Sequence, residues 1–362
     1  MTYRSWFQSR FSWAILAALC VCLALLLVTY SPLATQGARE GLALCGQVII
    51  PSLYPFLVIG NIFTQLISAR KPAKHTHSRA TYVLLRQPPA ATGAMFLGLL
   101  GGYPLGAKAA ASLMERGALT RVQAQRLQLF CVNAGPAYLL GAVGSALLGS
   151  RRAGLLLLVS LTAASIVMAF ISRFWDSAES IQPPHTAPKS SPLTPDSCLL
   201  IAIAQATKAI IGVCAWVVLF SSLCALLRLL PHALWPAIPS LNVLLEVSSG
   251  AVAVVRGGGA TLPVLCAALG WGGLSVHCQI LGDLRKTGLP LKIFIVSRLA
   301  HGAVAAAICW QLGRWFPVDL PASAISGVLP GVRLWAVSAP AAAALLFFCA
   351  FLILDLDLRR KV

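Results

Sequence analysis

About ten stretches of apolar sequence recur along this chain of 362 residues, and most of them approach the length of a membrane-spanning helix. A helix needs about 20 apolar residues to cross the hydrocarbon core of a bilayer. The stretches lie at 11–29, 42–67, 92–114, 127–148, 154–172, 198–228, 241–256, 261–284, 293–312 and 334–354. Because lipid offers no water to an open backbone, we predict an all-α polytopic membrane protein.

The overall composition agrees with this fold class. Hydrophobic residues make up 58% of the chain and charged residues 10%, and the mean hydropathy is +0.82. Soluble domains carry about 25% charged residues. The net charge is +18, but the basic residues lie mostly in short loops, without the basic stripe that nucleic-acid binding needs. We therefore expect the lipid bilayer, and no nucleic acid, as a partner.

Neither a metal site nor an active site is predicted. The eleven cysteines are scattered, without a CxxC pair or a histidine cluster at metal-ligand spacing. Cysteine is by default a small buried hydrophobe. The chain has no GxSxG, HExxH or P-loop signature. We expect no cofactor and no enzymatic activity.

Two apolar stretches are interrupted by glycine-rich segments that also carry polar side chains. The first, at 101–108, reads Gly-Gly-Tyr-Pro-Leu-Gly-Ala-Lys, and the second, at 272–279, reads Gly-Gly-Leu-Ser-Val-His-Cys-Gln. Irregular backbone at membrane depth is tolerated only where it is packed in protein or lines a cavity. Paired breaks in two halves of a chain point to a transport site near the bilayer midplane.

The chain divides into two halves of similar size. A Pro- and Ser-rich connector at 173–197 separates a first repeat at 36–172 from a second at 198–312. A shift of 171 positions superimposes the two glycine pairs, and five crossings between them give opposite orientations. We expect two inverted repeats with broken or re-entrant helices. A transmembrane helix at 1–35, and another with a basic tail at 313–362, flank the repeats.

The distribution of basic residues orients the chain. With ten crossings and the N-terminus inside, the inner segments hold more Lys and Arg than the outer ones. The positive-inside rule then predicts a multi-pass cell-membrane protein with both termini cytoplasmic. Whether the segments near 92–114 and 241–284 span the membrane or re-enter it stays open.

Polar groups near the breaks are candidates for a binding site, since such groups are costly in a membrane. The candidate substrate contacts are Gly102, Tyr103, Lys108, Asn133, Gly135, Ser275, His277 and Gln279. Asn133 and Gly135 precede Pro136, which frees an upstream carbonyl. The structural alternatives are a lysine that reaches the interface, a histidine that only packs, and a proline kink with a capping asparagine.

Glu246 is the single acidic residue of its apolar stretch. It either forms an ion pair with Lys208 or Arg298, or exchanges a coupling proton, and both roles stay open. Together the intramembrane basic groups outnumber the acidic ones, and the N-termini of half-helices add partial positive charge. This balance favours a small organic anion, in particular a carboxylate, as the substrate.

Four strings resemble those of the sporulation integral membrane proteins with nucleoside-recognition Gate domains, the YlbJ-like family. They are Gly-Tyr-Pro-Leu-Gly-Ala-Lys at 102–108, Asn-Ala-Gly-Pro at 133–136, Leu-Glu-Val-Ser-Ser-Gly at 245–250 and Gly-Gly-Leu-Ser-Val-His-Cys-Gln at 272–279. The resemblance implies two Gate-type repeats and a role in endospore formation. It also implies export of dipicolinate, a small planar dianion, from the mother cell across the outer forespore membrane.

The chain departs from the family pattern at three points, one of which is an unusually basic loop near 70–90. Val132 stands where a second asparagine is expected, and the first break opens with Gly-Gly where Ser-Gly is more frequent. Another carboxylate or heterocyclic substrate therefore stays open. So do two other functions, a proton- or sodium-coupled nucleoside-like permease and a non-transporting scaffold for spore assembly. The sequence is compatible with a homo-oligomer.

Overall fold

The computed structural model describes residues 3–69, 85–88, 90–174, 195–256 and 261–318, and no β-strand occurs within these ranges. The helices are α1 (Tyr3–Thr29), α2 (Ser31–Leu44), π1 (Cys45–Ile49, a π-helix), α3 (Ile50–Ala69), α4 (Ala91–Leu100), α5 (Leu105–Glu115), α6 (Arg121–Phe130), π2 (Tyr138–Leu147, a π-helix), α7 (Arg151–Ser172), α8 (Pro195–Leu226), α9 (Ile238–Leu245), α10 (Val247–Arg256), α11 (Leu262–Trp271), α12 (Gly273–Thr287) and α13 (Leu291–Trp315). The predicted all-α fold class is confirmed.

Five helical stretches of the described chain are long and apolar enough to cross a membrane. They are Ser31–Ile62, Arg151–Ser172, Ser197–Leu229, Leu262–Thr287 and Leu291–Trp315. Shorter apolar helices, including α4, π2 and α10, accompany them. The predicted segment at 334–354 and most of the connector at 173–197 lie outside the described residues. These helices agree with a polytopic membrane protein.

Large apolar side chains cover the outward faces of the long helices. Ile166 on α7, Leu200 on α8 and Val296 on α13 are 60%, 66% and 64% exposed. Extended apolar surface of this kind is unfavourable against water. Lipid tails are as apolar as these side chains, so the same faces are stable in a bilayer.

Glycines allow the halves of the chain to pack closely. α2 and α3 lie along α8, α7 packs against α13, and α5 packs against α12. A Cβ on Gly37 of α2 would lie 2.6 Å from the Ser221 carbonyl oxygen of α8, and one on Gly41 would lie 3.0 Å from Val218 Cα. Small residues four apart let two membrane helices approach at their backbones.

The prolines of the second apolar stretch do not break it. The sequence predicts a kink or break at Pro51 and Pro55, since proline removes a helical hydrogen bond. The structure places π1 just before Pro51, and α3 continues through Pro55, so the helix is not broken there. A π-helical turn absorbs the irregularity while the chain stays helical.

The apolar stretch at 127–148 is not one continuous helix. α6 ends at Phe130, residues 131–135 are not helical, and π2 follows. The capping box of α6, in which Thr120 and Gln123 exchange hydrogen bonds of 3.0 and 3.2 Å, starts this helix at Arg121, before the apolar stretch begins. Proline at 136 and glycine at 135 then interrupt the apolar run.

Candidate functional site

Four interruptions of the helices lie against one another. Break 1, residues 101–104, separates α4 from α5, and break 2, residues 131–135, separates α6 from π2. Break 3 is Glu246, between α9 and α10, and break 4 is Gly272, between α11 and α12. Breaks 1 and 4 are the two glycine-rich segments that the sequence singled out, and the helices are interrupted at both.

Breaks 1 and 2 touch through their backbones. A Cβ on Gly102 would lie 3.0 Å from the nitrogen of Gly135, and a Cβ on Gly135 would lie 3.2 Å from the nitrogen of Gly102. Gly102 also has a φ of 75°, in the left-handed region that other residues rarely adopt. A side chain at either position would push the two breaks apart.

Breaks 1 and 4 meet through Tyr103. Its ring lies 3.4 Å from the Cβ position of Gly272, whose φ is 82°. The Tyr103 hydroxyl donates a hydrogen bond to the carbonyl of Leu269 in the last turn of α11. A carbonyl that the end of α11 would leave without a helical partner is thereby satisfied.

Breaks 3 and 4 meet in the same manner. A Cβ on Gly273 would lie 2.8 Å from the nitrogen of Val247. The indole Nε1 of Trp271 donates to the carbonyl of Leu244, in the last turn of α9, at 3.2 Å. The ends of α9 and α11 are thus capped by side chains that come from other elements, Trp271 at the end of α11 and Tyr103 of break 1.

A small cavity of about 40 Å³ lies between the breaks. Its polar lining comes from Tyr103, Tyr138, Glu246, Ser248 and Gln279, and the rest of its wall is apolar. A water molecule needs roughly 10–15 Å³ measured in this way, whereas pockets for organic ligands usually exceed about 300 Å³. In this conformation the cavity has room for a few water molecules and is too small for an organic anion.

Glu246 is the acidic group of this cavity and is only 1% exposed. One carboxylate oxygen accepts a hydrogen bond from the nitrogen of Ser249 at 2.6 Å, so the side chain caps the N-terminus of α10.

An ion pair of Glu246 with Lys208 or Arg298, one of the two roles that the sequence leaves open for Glu246, is not found in the described part of the chain. Arg298 is fully buried, and its guanidinium donates to the carbonyls of Leu129, at 2.6 Å, and Val132. These carbonyls lie where α6 ends, so a positive charge there is favoured by the helix dipole. Arg298 therefore holds break 2 in place, and among the described residues Glu246 has no cationic partner.

Asn133 belongs to a buried hydrogen-bond chain. Its amide nitrogen donates to the Phe130 carbonyl at 2.8 Å, and its amide oxygen accepts from the hydroxyl of Ser165 at 2.9 Å. The same hydroxyl lies 3.0 Å from His301 Nε2. Ser165 was missed as a member of this network, although it is a polar residue in an otherwise apolar helix.

The candidates on α12 separate into two groups. Gln279 lines the cavity. His277 is buried, accepts or donates a hydrogen bond at 2.8 Å to the Gly273 carbonyl, and packs against the rings of Trp271 and Phe294. Within the described residues the Ser275 hydroxyl and the Gln279 amide oxygen have no hydrogen-bond partner. Buried polar atoms of this kind are rare and call for an explanation.

The cavity is not lined by positive charge as the sequence predicts. Lys108 is exposed on α5, and no Lys or Arg of the described chain lines the cavity. Lys108 interacts electrostatically with Asp283 on α12 instead. Lys108 follows break 1 closely in sequence, but its position on α5 places it away from the cavity.

A polar seam beside Lys108 joins the two halves. The Gln128 amide donates to the Asp283 carbonyl at 3.2 Å and accepts from the Thr287 hydroxyl at 2.6 Å. Lys286 forms an ion pair of 3.0 Å with Glu115. These contacts fasten α12 of the second half to α5 and α6 of the first.

Comparison with known proteins gives one informative similarity. The chain is 22% identical over 349 residues to the sporulation integral membrane protein YlbJ of Bacillus subtilis (strain 168). The alignment covers 86% of this chain and 84% of that relative. No family model matches the chain, and no solved structure matches it significantly. The similarity extends over most of both chains.

Proposed function

We propose, from the similarity of this chain to the YlbJ-like family of membrane proteins, that it transports a small organic anion during sporulation. The resemblance predicted from four motifs is confirmed by that similarity. The relative is named for sporulation and for the membrane, which supports a sporulation role in a membrane here. The proposed substrate is dipicolinate, moved from the mother cell across the outer forespore membrane toward the forespore.

The observation that carries the transport proposal is the meeting of four helix breaks around one cavity. Breaks in membrane helices survive where they line a cavity, and transporters place their substrates between such breaks. Tyr103, Gly135 and Gln279 line the cavity and are the proposed substrate contacts. Asn133 and His277 are proposed to shape the breaks from behind.

Selectivity for an anion is proposed to come from the helix ends. α5, α10 and α12 begin at breaks 1, 3 and 4, and a helix N-terminus carries partial positive charge. The buried guanidinium of Arg298 adds a full charge behind break 2. The closed cavity would have to widen to admit an organic dianion, so transport requires the breaks to separate.

Uptake into proteoliposomes tests this proposal. We expect purified protein to accumulate labelled dipicolinate, and we expect Gln279→Ala to lower the uptake about tenfold, the equivalent of one hydrogen bond of about 1.4 kcal/mol. Gln311→Ala, near the end of α13 and away from the cavity, is the matched control and should transport normally.

The alternatives predict other results in the same assay. Uptake of labelled nucleosides without dipicolinate would support a nucleoside-like permease. Absence of any uptake by correctly folded protein, with alanine tolerated at Tyr103 and Gln279 in sporulating cells, would support a non-transporting scaffold.

A further inference from the structure

We propose that Glu246 is the coupling residue of this protein, binding one proton when substrate loads and releasing it when substrate leaves. The inference rests on the transport function proposed above and adds its driving force. Glu246 lies at break 3, lines the cavity, and is 1% exposed. A carboxyl in that position can exchange its proton only with the water and the solute that the cavity admits.

Among the described residues, no charged group lies close enough to Glu246 to neutralise it. The titratable or polar groups that face it from the packed elements are Tyr103 of break 1, Tyr138 of π2, Cys45 of π1, Cys224 of α8 and Gln279 of α12. All of these are uncharged near pH 7. Arg298, one of the two basic residues considered as partners of Glu246 from the sequence, is bound to the carbonyls at the end of α6.

Both protonation states of Glu246 are nevertheless supported. The nitrogen of Ser249, 2.6 Å from a carboxylate oxygen, and the N-terminus of α10 stabilise the ionised form. Burial in a largely apolar wall stabilises the neutral form. A structural ion pair would hold one state permanently, whereas this arrangement keeps the two states close in free energy, as a proton carrier requires.

The charge of Glu246 sets the direction of coupling. An ionised carboxylate repels an incoming dianion across the small cavity, and a protonated one does not. Substrate and proton therefore load together and leave together, which is symport. Lowering the pH on the loading side is expected to increase transport.

Gradient-driven uptake in proteoliposomes tests this coupling. We expect an inward gradient of one pH unit to raise the initial rate of wild-type dipicolinate uptake up to tenfold, the limit for one proton. Glu246→Gln, which imitates the protonated carboxyl, should lose this stimulation while still exchanging labelled for unlabelled dipicolinate, and Glu246→Asp should recover part of it. Glu115→Gln, on the exposed seam, is the control and should respond as the wild type does.

A second measurement does not depend on transport. Infrared difference spectra of the purified protein between high and low pH should contain a carboxylic-acid C=O band that is lost in Glu246→Gln. Wild-type transport that ignores the proton gradient, or follows a sodium gradient instead, overturns the coupling and leaves transport intact. If no transport occurs at all, the proposed transport function fails. In that case the infrared band decides about the proton site: its absence overturns the site, and its presence retains it.

Discussion

Replacing Gly106 by alanine tests whether α5 must lie directly against break 2. A Cβ on Gly106 would overlap the carbonyl oxygen of Cys131 and lie 2.7 Å from its carbonyl carbon. Both are backbone atoms, so no side-chain rotation can relieve the overlap. Either α5 or break 2 must move, and break 2 is tied to Arg298 through the carbonyl of Val132.

The size of the effect follows from two opposing contributions. Overpacking a tight site costs about 1–3 kcal/mol, and a backbone overlap belongs at the upper end of that range. The better helix propensity of alanine returns about 1 kcal/mol. We expect a net loss of about 2 kcal/mol, which corresponds to a fall in apparent Tm of roughly 4–8 °C if the scaling for domains of 150–250 residues is used.

Thermal unfolding of the detergent-purified protein, followed by tryptophan fluorescence, measures this change. Gly282→Ala on α12 is the matched control, because a Cβ there meets no other atom within 4 Å. It should leave the apparent Tm unchanged or raise it slightly. If Gly106→Ala melts together with Gly282→Ala, the close contact between α5 and break 2 is wrong.

Two further predictions concern the buried chain and the seam. Ser165→Ala removes the hydroxyl that joins Asn133 to His301 and should lower the free energy of unfolding by about 1–3 kcal/mol. Ser172→Ala, on the same helix, removes a bond to the Ala169 carbonyl alone and should cost clearly less in the same melts; equal losses would contradict the network. Lys286→Ala breaks an ion pair whose partners are about half exposed, so we expect the free energy of unfolding to fall by about 0–1 kcal/mol. A larger fall would contradict the small contribution expected of this ion pair.

The helical fold and two of the four breaks could be predicted from the sequence. Apolar stretches of membrane length leave the backbone no alternative to helices. Glycines 102 and 272 mark positions where the chain turns away from helical geometry, and both have positive φ in the structure. The helices and these two breaks could be predicted because both depend on the backbone preferences of residues that are neighbours in sequence.

The partners of the charged side chains could not be predicted in the same way. The sequence leaves open whether Glu246 pairs with Lys208 or Arg298 or exchanges a proton, and whether residues 131–136 contact substrate or form a proline kink. Once break 2 is known to open the end of α6, the free carbonyls of Leu129 and Val132 become the better partners for Arg298. The choice depends on where α6 ends, and the sequence does not show that position.

Hydrogen bonds to the helix ends link breaks 1, 4 and 3 one after another. Tyr103 of break 1 caps the end of α11 at Leu269, and Trp271, where α11 ends at break 4, caps the end of α9 at Leu244. Glu246 follows directly and caps the start of α10. If one break moves, the carbonyl that its side chain satisfies loses its partner, which costs free energy unless the next helix end moves with it. Separation of the breaks to admit a solute and a change at Glu246 are therefore expected to occur as one event, which is the physical requirement for coupled transport.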